Sequence, residues 1–122
     1  MPLSVLIVED DPDGAATLDM MLQAAGFQTQ VVESAEAALT ALGDVSDFNA
    51  VIVDLALPVM DGFELMTTLR KHTEHRKLRL VAVTAYHTPE LKVKALDAGF
   101  NAYFAKPLDT SLFAQSLGRL LA

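Results

Sequence analysis

A chain of 122 residues is one domain by size and can bury roughly two thirds of its unfolded surface. It is 52% hydrophobic with mean hydropathy +0.32, which points to an ample globular core. A net charge of −7 argues against nonspecific nucleic-acid binding, and no apolar run reaches the 18 or so residues of a membrane span. The opening MPLSVLIVEDD has no basic start and too short an apolar run for a signal peptide. With no cysteine there is neither a disulfide framework nor a thiolate metal site, and a cytoplasmic setting is expected.

Five apolar runs alternate with five helical patterns. The strand-like runs are 3–8 (LSVLIV), 28–32 (QTQVV), 50–54 (AVIVD), 78–84 (LRLVAVT) and 102–105 (AYFA). After the first run, Asp11 can cap a helix over 12–25 with Pro12 in its first turn, and Gly26 ends it. Ser34 can cap 35–42, and Asp61 can cap 62–72. Thr88-Pro89 opens 89–98, which Gly99 closes, and Asp109 caps a last helix striped with Leu112, Phe113, Leu117, Leu120 and Leu121. The most irregular stretch is KHTEHRK, 71–77.

Strict alternation of strand and helix predicts a parallel sheet covered on both faces. The polar second run suits an edge, while the Val-, Ile- and Leu-rich first and third runs suit the centre. All nine basic residues lie at or after Arg70, and twelve of the sixteen acids lie before it. Residues 1–69 therefore carry −12, and the remainder carries +5, nine bases against four acids. If the halves form opposite edges of one sheet, the domain has an acidic and a basic side.

In such sheets ligands bind at the strand C-termini. Glu9-Asp10-Asp11 follows the first run, Asp54 ends the third, Thr84-Ala85 ends the fourth and Lys106-Pro107 follows the fifth. Clustered carboxylates repel unless a cation joins them, and a dense set of oxygen ligands suits Mg²⁺. Carboxylates, Mg²⁺, a lysine and a threonine are the parts of a phosphoryl-transfer site, with Asp54 the nucleophile that becomes an aspartyl phosphate.

VLIVEDDP, DLALPVMDG, VAVTAY and YFAKPLD together resemble the response-regulator receiver domain, the phosphoacceptor module of two-component signalling. The spacings fit as well: 30 residues from Asp54 to Thr84 and 22 from Thr84 to Lys106. The resemblance implies a single CheY-like domain over 1–122. Its expected fold is an α/β, doubly wound, flavodoxin-like (βα)5 unit with five parallel strands in the order 2-1-3-4-5.

It further implies Mg²⁺ held by Asp10, by Glu9 through water, by Asp54 and by the Ala56 carbonyl. Asp54 would be phosphorylated, Thr84 would hydrogen-bond the phosphoryl group and Lys106 would pair with it. Pro107 would follow a cis peptide. Thr84 would move inward and Tyr103 would fill the space it leaves, remodelling the surface of the fourth helix, fifth strand and fifth helix. The implied phosphodonor is a histidine kinase or a histidine phosphotransfer protein, and the output is a downstream protein target, with no direct nucleic-acid or membrane role. A phosphorylation-dependent dimer belongs to the family, but Phe100-Asn101-Ala102-Tyr103 lacks the two acids of the Ala-Asp-Asp-Tyr surface that feeds it. Nothing follows Ala122, so an output domain is expected to be absent or outside this chain.

Ala56 and Tyr86 occupy the two positions that flank the site mouth; Ala56 offers no side chain to hold an attacking water and Tyr86 is bulky enough to shelter the phosphoryl group, so a long-lived phosphorylated state is expected. The competing reading is a Mg²⁺-dependent phosphohydrolase with an aspartate nucleophile, whose DxD pattern Ala56 breaks. A flavodoxin-like small-molecule binder lacks its phosphate loop after the first strand. His72, His75 and His87 are expected to be solvated, and Met60 to stand beside the site.

Overall fold

The computed structural model describes residues 3–43, 47–56, 61–71 and 77–122. Pro58, Met60, His72 and His75 lie outside these residues, as does most of the 71–77 stretch. The chain runs β1 (Ser4–Val8), α1 (Pro12–Ala24), β2 (Gln28–Val32), α2 (Ala35–Leu42), β3 (Ala50–Asp54), α3 (Gly62–Arg70), β4 (Arg79–Thr84), α4 (Pro89–Ala98), β5 (Ala102–Ala105) and α5 (Thr110–Leu121).

The strands form one parallel sheet in the order β2-β1-β3-β4-β5. Every residue of β3 is buried, whereas β2 is largely exposed, so the apolar and the polar runs fall at the centre and the edge as their composition requires. The period of two along each strand splits the core into two layers. Val5, Ile7, Ile52, Val81 and Val83 face α1 and α5 through Leu18, Leu22, Phe113 and Leu117. Leu6, Val8, Val51, Val53, Leu80 and Ala82 face α2, α3 and α4 through Ala38, Leu42, Leu65, Leu69 and Ala95.

Capping residues start the helices where the sequence places them. Asp11, Ser34, Asp61, Thr88 and Asp109 each accept a hydrogen bond from the backbone N–H three residues on. Helix ends are shorter than expected. α1 stops at Ala24, because the Gly26 N–H turns back to the Gln23 carbonyl with Gly26 at φ 95°. α3 stops at Arg70 rather than at residue 72. There the Lys71 N–H points to the Thr68 and Leu69 carbonyls, and the Arg70 guanidinium leaves the helix to reach the Leu78 carbonyl at 2.9 Å. No helix of the described residues is long and apolar enough to cross a membrane.

α4 is held least firmly: its one fully buried residue is Ala95, while Val93 and Leu96 are exposed. Phe63 of α3 meets Phe100 edge-on at 5.9 Å, and the Lys94 ammonium lies 4.5 Å over the same Phe63 ring, tying α4 to its neighbour.

Asp61 therefore stands as a cap. Asp61→Ala should lower unfolding stability in denaturant by about 1 kcal/mol, and Asp61→Asn by much less, because an asparagine caps nearly as well. Equal losses in both variants would show that its charge, rather than its cap, matters.

Candidate functional site

The strand order reverses between β1 and β3, and the carboxyl ends of these strands leave a crevice there. The last backbone bonds of the ladder set the crevice walls. The Glu9 N–H bonds the Val32 carbonyl, Leu55 bonds Val83 and Lys106 bonds Thr84, at 3.1, 3.0 and 2.8 Å. The residues at these points cannot drift, because each follows a strand that is itself paired.

Among the described residues, the buried polar or charged side chains are Glu9, Asp54 and Thr84, exposed by 2%, 8% and 1%. They stand at the carboxyl ends of β1, β3 and β4. Interior carboxylates are costly unless paired, and the partner here is Lys106. Its ammonium bonds Glu9 Oε1 and lies 3.5 Å from Asp54 Oδ2. Asp54 Oδ1 accepts from the Ala56 N–H at 2.9 Å. Thr84 Oγ1 accepts from the Tyr86 N–H at 3.0 Å, which leaves the hydroxyl proton free to donate elsewhere. The Lys106–Pro107 peptide is cis.

One lysine does not satisfy this charge. Burial, then the nearby Asp54 carboxylate, push Glu9 up to about 7, although Lys106 pulls the other way. Burial also disfavours the Lys106 ammonium, but the Glu9 bond and the Asp54 charge outweigh it and raise the lysine above its ordinary value. Glu9 Oε2 is buried with no hydrogen-bond partner. One carboxylate oxygen from each of Glu9, Asp10 and Asp54 falls within 4.8 Å of the others, with Asp10 exposed at the mouth. Three clustered carboxylates, with one Glu9 oxygen left unpaired, fit a small divalent cation that keeps several waters, as Mg²⁺ does.

Comparison with known proteins gives this site a family. The response regulator receiver domain family matches residues 5–117. The chain belongs to that family.

An uncharacterised 14.6 kDa protein of Leptolyngbya boryana is 37% identical over 107 residues, covering 88% of this chain and 81% of its own. Hybrid signal transduction histidine kinase C of Dictyostelium discoideum is 30% identical over 113 residues, 87% of this chain but 9% of the kinase. The domain thus spans a small part of several of its curated relatives. A sensor protein of Polaromonas sp. JS666 superposes with a TM-score of 0.87 at 36% identity, covering 98% and 95% of the two chains. The receiver domain of a Pseudomonas aeruginosa sensor histidine kinase, solved with a magnesium ion coordinated in its active-site cleft, gives 0.89 at 26% identity over 99% and 98%.

The receiver domain brings Glu9, Asp10, Asp54, Ala56, Thr84 and Lys106 to one rim. Tyr103 stands apart on β5: it is 9% exposed and packs in the layer beneath α4. Asp11 caps α1 and points to Gly14 rather than to the carboxylate cluster. Tyr86, bonded through its N–H to Thr84, is 75% exposed, so the ring projects into solvent instead of lying over the crevice.

Three features escaped sequence reasoning. His87, expected to be solvated, places Nδ1 2.9 Å from the Tyr103 hydroxyl, with the rings 5.5 Å apart. Gly14 leaves room for Glu9: a Cβ there would lie 3.0 Å from Oε1. Gly62 lets α3 press on the end of β3, where a Cβ would lie 2.9 Å from the Asp54 carbonyl oxygen and 3.0 Å from Leu55 Cα. The DG pair signalled a helix start, but a close approach between elements leaves no local mark in a sequence.

Gly62→Ala should therefore cost about 1–3 kcal/mol in denaturant unfolding, the usual penalty of overpacking against backbone. Gly118→Ala, with open space around it in α5, should instead gain about 0.5–1 kcal/mol. A harmless Gly62→Ala would mean that α3 does not fix the end of β3.

Proposed function

We propose that this receiver domain accepts a phosphoryl group on Asp54 from a phosphohistidine and passes the signal on by protein contact. The observation that carries the reading is the buried Glu9–Asp54–Lys106 cluster with the unpaired Glu9 Oε2 beside it. A stable core has no use for such a cluster, whereas a site that receives a polyanion and a cation does.

Asp10, Asp54, the Ala56 carbonyl and Glu9 through a water would hold Mg²⁺, which when bound neutralises charge between the carboxylates and the incoming phosphoryl oxygens. An Asp54 oxygen attacks phosphorus as the N–P bond breaks, so the acyl phosphate forms and the donor imidazole, already protonated on its other ring nitrogen, leaves as neutral histidine. The Ala56 N–H holds the other Asp54 oxygen and orients the carboxylate for that attack. Lys106 moves from its carboxylate partners toward a phosphoryl oxygen, and the Thr84 hydroxyl donates to another. The added charge then biases the α4–β5–α5 surface, through which a downstream protein would bind.

The donor would be a histidine kinase or histidine phosphotransfer protein. In support, its relatives include hybrid histidine kinases and the cell cycle transcriptional regulator CtrA of Caulobacter vibrioides, 30% identical over 105 residues, 86% of this chain and 44% of CtrA. Asn101, where the dimer-forming pattern has an acid, instead accepts from Arg70 Nη2 at 3.0 Å and the Leu80 N–H at 2.8 Å. Its side chain is thus committed within the fold, which disfavours that dimer mode here.

Incubation with a small phosphodonor should add one phosphoryl mass, dependent on Mg²⁺ and lost in Asp54→Asn. Steady turnover of a soluble phosphoester would establish the phosphohydrolase instead.

Ala56 offers no side chain to hold an attacking water, so the phosphorylated form should decay slowly in a radiolabel chase. The Tyr86 ring stands in solvent, so Tyr86→Gly should leave that lifetime unchanged. A shorter lifetime in this variant would return Tyr86 to the timing.

A further inference from the structure

The loop between β4 and α4, residues 85–88, makes three attachments in four residues. The Tyr86 N–H bonds Thr84 Oγ1, His87 Nδ1 meets the Tyr103 hydroxyl, and Thr88 caps α4 by accepting from the Leu91 N–H. One short link therefore connects the rim hydroxyl, the buried aromatic of β5 and the start of the least firmly packed helix.

Tyr103 needs such a partner. Its ring packs within the apolar layer, where the hydroxyl carries a proton that has to find an acceptor. The His87 ring nitrogen, which accepts in the tautomer that carries its proton on Nε2, stands 2.9 Å away. Without it, a buried donor would be left unmatched, and turning the ring outward to water would become the cheaper arrangement.

We infer that His87 is a positioning residue that holds Tyr103 in its buried place and, through the same loop, fixes the orientation of Thr84. It rests on the phosphoacceptor reading for its consequence but not for its geometry. Because the ring and Thr84 share the loop, whatever holds Tyr103 inside favours the Thr84 geometry, and a group bound by Thr84 favours the buried ring in equal measure. His87 itself is exposed, so its replacement leaves the core intact.

The test uses the full chain with two readouts. Aromatic NMR of Tyr103 without ligand reports ring burial, and titration with beryllofluoride plus Mg²⁺ reports affinity at Asp54. His87→Ala should move the ring resonances toward exposed values and weaken beryllofluoride binding about three- to tenfold, the range for one hydrogen bond. His87→Asn should restore both, since Asn Oδ1 occupies the position of Nδ1. Tyr103→Phe, which removes the donor that needs matching, should keep the ring buried, and the His87→Ala/Tyr103→Phe double variant should bind no worse than Tyr103→Phe alone.

A ring that stays buried in His87→Ala overturns the positioning role, and additive losses in the double variant overturn the coupling. Failure of the wild-type chain to bind beryllofluoride would reject the phosphoacceptor reading, while the ring measurement would still judge His87.

Discussion

Two buried carboxylates share one ammonium, and the architecture around them follows from that constraint. Glu9 and Asp54 stand beside each other at the ends of adjacent strands, and Lys106 reaches both from the far edge of the sheet. Neither acid would be tolerated there without the lysine, because desolvation of an unpaired charge outweighs what local packing returns. Nor does the lysine complete the balance, as the raised Glu9 and its orphaned oxygen testify. Register makes this arrangement possible. Val8 pairs with Val53 and Asp54 with Val83, so Glu9 and Asp54 leave the ladder at the same level. A slip of one residue would turn one carboxylate away and bury an apolar side chain in its place.

Rigidity is unequal across the domain. The crevice is built on strands whose residues are almost wholly enclosed, while α4 buries a single alanine and leans on Phe63 through one cation–π contact and through Phe100. Segments with few buried apolar contacts have the lowest local unfolding free energies, and they are the ones a modest charge change can redirect. Tyr86, Val93 and Leu96 add exposed apolar surface on and beside that helix. A firmly held site next to a lightly held helix is what a module that reports chemistry through shape requires.

Much of this was legible in the sequence, for physical reasons. Strand runs and caps are local: Ser34, Asp61, Thr88 and Asp109 each act on a residue three positions away, so their types alone identify them. The strand ends could be gathered into one site because parallel topology brings all of them to one edge. What stayed hidden was decided by distant partners. The end of α3 depends on Arg70 reaching Leu78, and the place of His87 depends on Tyr103, sixteen residues on. That Glu9 rather than Asp10 goes inside is set by which wall of the crevice Lys106 enters, ninety-seven residues away.

The uneven charge along the chain finds its meaning in that same contact. The order β2-β1-β3-β4-β5 puts the acidic half on one side of the sheet and the basic half on the other, as the composition led one to expect. Lys106 is the basic residue that crosses back to the acidic side. It leaves β5 three residues after Tyr103, so one short strand holds the ammonium of the site at its end and the aromatic beneath α4 in its middle. If Asp54 is phosphorylated as proposed, the demand of the new anion on Lys106 would fall directly on the strand that carries Tyr103. The loop through His87 reaches the same ring from Thr84. Two routes of a few residues would then converge on one side chain, a paired strand and a hydrogen-bonded loop joining site to surface without any longer relay.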